Sequence, residues 1–152
     1  MDEDPDSVSR EITIGAPIED VWRLVTEPAH LQAWYAFDGA TVDLREGGVI
    51  EHYWREHGRF RGVIVQVAPP TSLSYWYSTA PDVDPAPGHQ TLVTFRLLSA
   101  GAGATVLRVT ESGIRALDLT ETERAGYLAA TSHGWAGGLD ALLERVRSAA
   151  SS

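Results

Sequence analysis

His52 and Glu111 are the residues of this chain best placed for acid–base chemistry. Each sits in an alternating run, on the face that also carries apolar side chains, so both are expected to point into the interior. An imidazole and a carboxylate meeting in a dry cavity can pass a proton to or from a bound molecule. The same residue types also suit a hydrogen-bonded core histidine and a strand-end carboxylate near solvent. Geometry has to choose between these, so no catalytic residue is assigned from sequence. Other chemistries have weaker support. His30, His52, His57, His89 and His133 show no two-histidine spacing for a metal on one helix, and no metal site is expected. The absence of cysteine removes thiol nucleophiles, disulfides and cysteine-ligated centres. There is no Gly-x-Ser-x-Gly elbow, and the glycines at 47, 48, 101 and 103 read as turn chemistry rather than phosphate cradles. No cofactor is expected.

A binding wall is the stronger signal. If Arg96 and Arg108 face outward, strand parity sends Val93, Phe95 and Leu97 inward, with Leu107, Val109 and Glu111 from the next strand. Earlier strands then supply Ile50, His52 and Trp54, followed by Phe60, Gly62 and Ile64, and then Leu73, Tyr75 and Tyr77. Trp34 and Trp135 would close the space from helices. The candidate ligand-binding set is therefore Trp34, His52, Trp54, Phe60, Tyr75, Tyr77, Phe95, Glu111 and Trp135. Apolar area with a few polar tips suits a small hydrophobic or amphipathic molecule. The alternative is that these aromatics simply fill the core. A register slip of one residue would instead turn Tyr53 and Trp76 inward.

The elements that must position these residues follow from periodicity. Val8 to Ile14 alternates as a strand, and Gly15 and Pro17 stop it. Ile18, Val21, Trp22 and Val25 then recur at about 3.6 residues, and Pro28 starts a second short helix through Leu31 toward Trp34. Six strands are expected near 39–45, 48–55, 59–67, 72–78, 90–98 and 104–112, separated by Gly- and Pro-rich turns. From about Thr120 a long helix carries Leu128, Thr131 or Ser132, Trp135, Leu139, Leu142 and Val146 on one side. Gly134, Gly137 and Gly138 lie inside it and call for close packing or a bend in compensation. The irregular stretch from Ser78 to Gln90 reads equally as a lid and as a proline-stiffened surface insertion.

With 152 residues and 43% hydrophobic content, one domain over 8–147 is expected. It would be flanked by an acidic disordered tail over 1–7 and a frayed end over 148–152. A formal net charge of −9 argues against nucleic acid, whose phosphates require clustered cations. No apolar run approaches the roughly 20 residues of a membrane span, and the acidic N-terminus does not read as a signal peptide, so a cytoplasmic address is expected. A homodimer through an exposed sheet edge or the helices stays open.

The ordered combination of Ala16-Pro17, Val21-Trp22, Thr26-Glu27-Pro28, Trp34 and Asp43-Leu44-Arg45-Glu46-Gly47-Gly48 resembles the family of homologues of the activator of the heat shock protein ninety ATPase. Gly62 through Val67 to Pro69-Pro70, Leu73-Ser74-Tyr75-Trp76, Gly103-Ala104-Thr105, Glu111-Ser112-Gly113 and Gly134-Trp135 with Leu139 and Leu142 extend the match. The resemblance covers about residues 8–147. It implies an α+β helix-grip fold of the START-like, birch pollen allergen-like superfamily. There a seven-stranded curved antiparallel sheet wraps a long C-terminal helix, with two short helices between strands 1 and 2. That scaffold carries several functions. Holding a small apolar ligand is the preferred expectation. A polyketide cyclase or aromatase using His52, Glu111 and tyrosine hydroxyls, and a stress-related co-chaperone with a chaperone partner, are the alternatives.

Overall fold

The computed structural model describes residues 6–151. Strand β1 (Ser7–Ile14) is followed by helices α1 (Ile18–Thr26) and α2 (Pro28–Trp34). Then come β2 (Gly39–Val42), β3 (Val49–Trp54), β4 (Gly58–Ala68), β5 (Ser72–Ser78), β6 (Gln90–Ser99) and β7 (Thr105–Ser112). A short 3-10 turn, Ile114–Ala116, leads to the long helix α3 (Glu121–Ser151). All neighbours pair antiparallel in one sheet of order β1-β7-β6-β5-β4-β3-β2. This is the helix-grip architecture: a curved sheet with α3 laid against its concave face and the two short helices at one end.

The register is the one expected from outward Arg96 and Arg108, which sit opposite each other on β6 and β7 and are both exposed. Val93, Phe95, Leu97, Leu107, Val109, Ile50, Ile64, Leu73 and Tyr75 are all buried, whereas Trp76 lies partly exposed on the outer face. A bulge between Ile64 and Gln66 interrupts the β4–β5 pairing, where an extra residue bends a strand.

The helical cover forms for local reasons. Pro17 caps α1 and Pro28 opens α2, each at a position where a missing amide N–H costs nothing. Val21, Trp22, Val25, Leu31 and Trp34 are buried, and the Trp34 indole N–H donates to the Leu24 carbonyl at 2.8 Å, tying α2 to α1. At the start of α3, the Thr120 hydroxyl accepts from the Glu123 amide at 3.1 Å and the Glu123 carboxylate accepts from the Thr120 amide at 2.9 Å. This reciprocal pair satisfies two amides at the helix start. Trp135, Leu139 and Leu142 form the buried face of α3.

Several expectations are corrected. β2 ends at Val42, because Asp43 to Gly48 form a tight loop in which Arg45 N–H donates to Asp43 O at 2.8 Å and Gly48 N–H to Arg45 O at 2.9 Å. Ser7 already pairs with Ser112, so β1 starts inside the expected tail, whose residues 1–5 lie outside the described residues. Helix α3 continues past Arg147 to Ser151. Of Gly134, Gly137 and Gly138 in α3, close packing accounts for Gly138 alone. A Cβ there would lie 3.5 Å from the Tyr35 ring and 3.6 Å from that of Trp34, whereas at Gly134 and Gly137 it would meet nothing within 4 Å.

Gly62 is the most constrained glycine of the sheet's inner face. A Cβ would come within 2.9 Å of the Tyr75 ring, 3.0 Å of the Trp76 carbonyl oxygen and 3.3 Å of the Tyr77 ring. Gly62→Ala is therefore expected to destabilise the fold by about 1–3 kcal/mol through overpacking. Gly137→Ala, placed in open space on a helix, should instead stabilise it by up to about 1 kcal/mol. Chemical denaturation of the two variants checks both signs.

Candidate functional site

Glu111 sits near the end of β7 with only 4% of its surface exposed. Its carboxylate accepts three hydrogen bonds: from Thr91 Oγ1 at 2.8 Å, from the Tyr127 hydroxyl, and from Trp135 Nε1 at 2.9 Å. The donors come from β6 and α3. Thr91 reaches Glu111 diagonally, because Val93 is the residue directly opposite and Thr91 lies two positions along on the same face. Tyr127 and Trp135 are eight residues apart on α3, which places them on one side of the helix. All three donors are neutral, and no cation pairs with Glu111 among the described residues.

Beside this carboxylate is a cavity of about 220 Å³, lined by Tyr35, Trp54, Phe60, Tyr77, Tyr127 and Trp135, with Ser78, Thr79, Thr131, Gly134 and Glu111 completing it. A wider vestibule continues outward past His57, Pro81 and Ala130, sharing Trp54, Phe60, Tyr127 and Thr131. The rings contact one another in a connected set. Tyr35 stacks on Trp135 with centroids 5.1 Å apart and planes at 4°, and it meets His52 and Trp54 edge-on at 5.1 Å each. Trp54 packs on Phe60 at 5.8 Å and Phe60 on Tyr77 at 6.3 Å. The Trp54 indole N–H donates to the Tyr35 carbonyl at 2.9 Å.

Of the nine expected binding residues, Trp54, Phe60, Tyr77, Glu111 and Trp135 line this cavity. Trp34, His52, Tyr75 and Phe95 do not. They surround a separate void of about 10 Å³ on the far side of Tyr35, room for no more than about one water. The expectation that Trp34 touches the cavity's contents is corrected, since its ring is buried in the core and its N–H is spent on Leu24. Tyr35 lines both spaces and divides them. Sequence reasoning missed it because Trp34 takes the buried helical position, and Tyr35, just past the helix, leaves helical geometry with φ −136° and ψ −70°. Tyr127 was also missed, although its spacing from Thr131 and Trp135 already placed it on the inward side of α3.

His52 and Glu111 do not form an acid–base pair. His52 is 2% exposed, and its Nδ1 is hydrogen-bonded to the Tyr77 hydroxyl at 2.9 Å, while all three of Glu111's partners are other residues. His52 is thus the hydrogen-bonded core histidine, whereas Glu111, although near the end of its strand, is buried rather than near solvent. Burial pushes the His52 imidazole down to about 3, so it is neutral at pH 7. Burial, and then the Glu111 charge, push the Tyr35 and Tyr127 hydroxyls upward, and Tyr77 shares a side-chain hydrogen bond with Tyr35. The tyrosines of the wall therefore remain protonated.

The stretch 79–89 borders the site. Asp82 N–H donates to Arg59 O at 2.7 Å, and the Arg61 guanidinium lies 3.6 Å from the Asp84 carboxylate. Gly58 accommodates the loop, since a Cβ there would come within 2.8 Å of Pro81. Thr79 and Pro81 contribute to the cavity and its vestibule, so this loop forms part of the mouth.

A family model described as activator of Hsp90 ATPase homolog 1-like protein matches residues 15–147. The chain belongs to this family. No curated protein matches it. Among solved structures it resembles NE0264 from Nitrosomonas europaea at 20% identity and a TM-score of 0.74, covering 99% of each chain. It also resembles the Aha1 dimer from Colwellia psychrerythraea at 19% identity and 0.73, covering 92% of this chain and 95% of that one. DynU16, a protein of the dynemicin biosynthetic locus, aligns at 21% identity and 0.71 over 93% of this chain. The chain spans only 47% of DynU16. At these identities the likeness shows the shared helix-grip fold. No helix among the described residues is long and apolar enough to cross a membrane.

His52 gives the site's pH signature. In the unfolded chain its ordinary value is 6.5, while the folded protein holds it down to about 3, so acid favours the unfolded state between those values. The histidine's contribution to stability is complete above pH 6.5 and is lost progressively as pH falls from 6.5 toward 3. His52→Gln, which cannot titrate there, is expected to lose less stability over that window than wild type, as read from denaturant midpoints at successive pH values.

Proposed function

We propose that this protein binds a small apolar or amphipathic molecule in the cavity between the sheet and α3. The observation carrying this reading is the cavity of about 220 Å³ walled by aromatic rings with one polar pole. Apolar walls supply affinity through burial, and a few convergent polar groups orient the guest. The volume suits a molecule of one or two rings, and the vestibule past Pro81 supplies a route in from solvent. Non-covalent binding is favoured over a cyclase or aromatase reaction because His52 lies outside this cavity and apart from Glu111's hydrogen bonds.

Gly134 offers the direct test, because it lines the cavity and a side chain there has free space to enter. Wild type should raise the fluorescence of the neutral two-ring probe 6-propionyl-2-(dimethylamino)naphthalene, and Gly134→Leu should weaken that binding about tenfold or more by filling the space. No enhancement with wild type, or equal binding by both proteins, would overturn the reading. Native mass spectrometry of the purified protein should show an adduct lost on denaturation.

Family membership supports a second reading, docking on an Hsp90-type chaperone. It requires stimulation of the ATPase of the chaperone from the same organism on adding this protein. An unchanged rate, together with no co-elution, removes it.

A further inference from the structure

We infer that the molecule held in this cavity carries a protonated amine, which binds at Glu111. This inference rests on the ligand-binding reading and specifies the chemistry of the guest. A buried charge is costly unless it is paired, and Glu111 is 4% exposed yet has only neutral donors around it. The chain contains no lysine, and no arginine lines the cavity. His52 supplies no positive charge either, because burial keeps it neutral. The protein therefore contributes hydrogen bonds to this carboxylate and leaves its countercharge unprovided.

The arrangement suits an anion. The Trp135 indole can only donate, and the Thr91 and Tyr127 hydroxyls both donate to Oε2. A carboxylate can accept about four hydrogen bonds, so one site is unfilled on Oε1, which receives the Trp135 N–H alone. Glu111 is itself part of the cavity lining. An ammonium placed there would fill that site and cancel the charge.

The walls favour the same ligand. Rings present negative faces to a cation, and such contacts strengthen in a desolvated site. The wall tyrosines keep their protons, so they remain neutral hydroxyl donors and acceptors. A guest with a carboxylate or phosphate would face Glu111 with like charge in a low-dielectric space. The formal net charge of −9 further draws cations toward the molecule and repels anions. The guest is thus an apolar, ring-sized body bearing an amine.

Three probes with one body and different heads test this: 4-phenylbutylamine, 4-phenyl-1-butanol and 4-phenylbutyrate, titrated into the whole protein by isothermal calorimetry at pH 7. The amine is expected to bind about tenfold or more tightly than the alcohol, and the carboxylate most weakly. In Glu111→Gln the amine should lose that advantage over the alcohol, whatever the variant does to the affinity of both. The charge inference is overturned if the alcohol or the carboxylate binds wild type as tightly as the amine, or if the variant keeps the preference. In that case, alcohol binding that Gly134→Leu abolishes would leave the cavity reading standing. Binding of none of the three overturns both. The wild-type series decides by itself should Glu111→Gln fail to fold.

Discussion

The Glu111 carboxylate is the interaction on which the arrangement of this interior depends. It ties three elements together, because its hydrogen bonds come from Thr91 on β6 and from Tyr127 and Trp135 on α3, while Glu111 itself lies on β7. A hydrogen bond to a charged group contributes about 1.5–3 kcal/mol, and leaving such a group buried and unsatisfied costs more than the bond is worth. The helix is therefore positioned over the sheet by a directional contact as well as by apolar packing. Trp135 is held by its N–H at Glu111 and by its ring on Tyr35 and Phe95, so the side chain that closes the core also forms a wall of the cavity.

Tyr35 sets the second constraint. Its ring stands between a filled half of the interior, where Trp34, His52, Tyr75 and Phe95 leave about 10 Å³, and an open half of about 220 Å³. The filled half supplies stability by close packing, and the open half supplies shape. The two halves share hydrogen bonds: Tyr77 lines the open side and reaches back to His52 on the closed side at 2.9 Å. A single aromatic sheet face thus serves as both core and wall, and its position relative to Tyr35 decides which role each residue takes.

Much of this was legible in the chain. Alternation in β5, β6 and β7 identified the inward face, because a one-residue slip would have buried Arg96 and Arg108. Pro17 and Pro28 marked the helix starts, and the spacing of Trp135, Leu139 and Leu142 marked the buried side of α3. The ordered motifs pointed to the family that the match over residues 15–147 establishes. The candidate site was legible only in part. Strand parity gave His52, Tyr75 and Phe95 as inward, and the short helix gave Trp34, but inward residues pack solid or line space according to what lies across from them. Tyr35 escaped because it follows the last helical residue, where periodicity no longer predicts direction.

The sequence by itself determined the element order and, once Arg96 and Arg108 are set outward, an expected inward face for each strand, because these follow from local backbone preferences and from the separation of apolar and charged faces. Tertiary structure alone decided where the enclosed volume stays empty and which groups meet across it. His52 turned to Tyr77, and Glu111 was surrounded by Thr91, Tyr127 and Trp135. Those contacts join residues distant along the chain, and their geometry depends on how α3 lies across the sheet, which no local pattern encodes. A periodic sequence states which way a side chain points; only the assembled layers state what it touches.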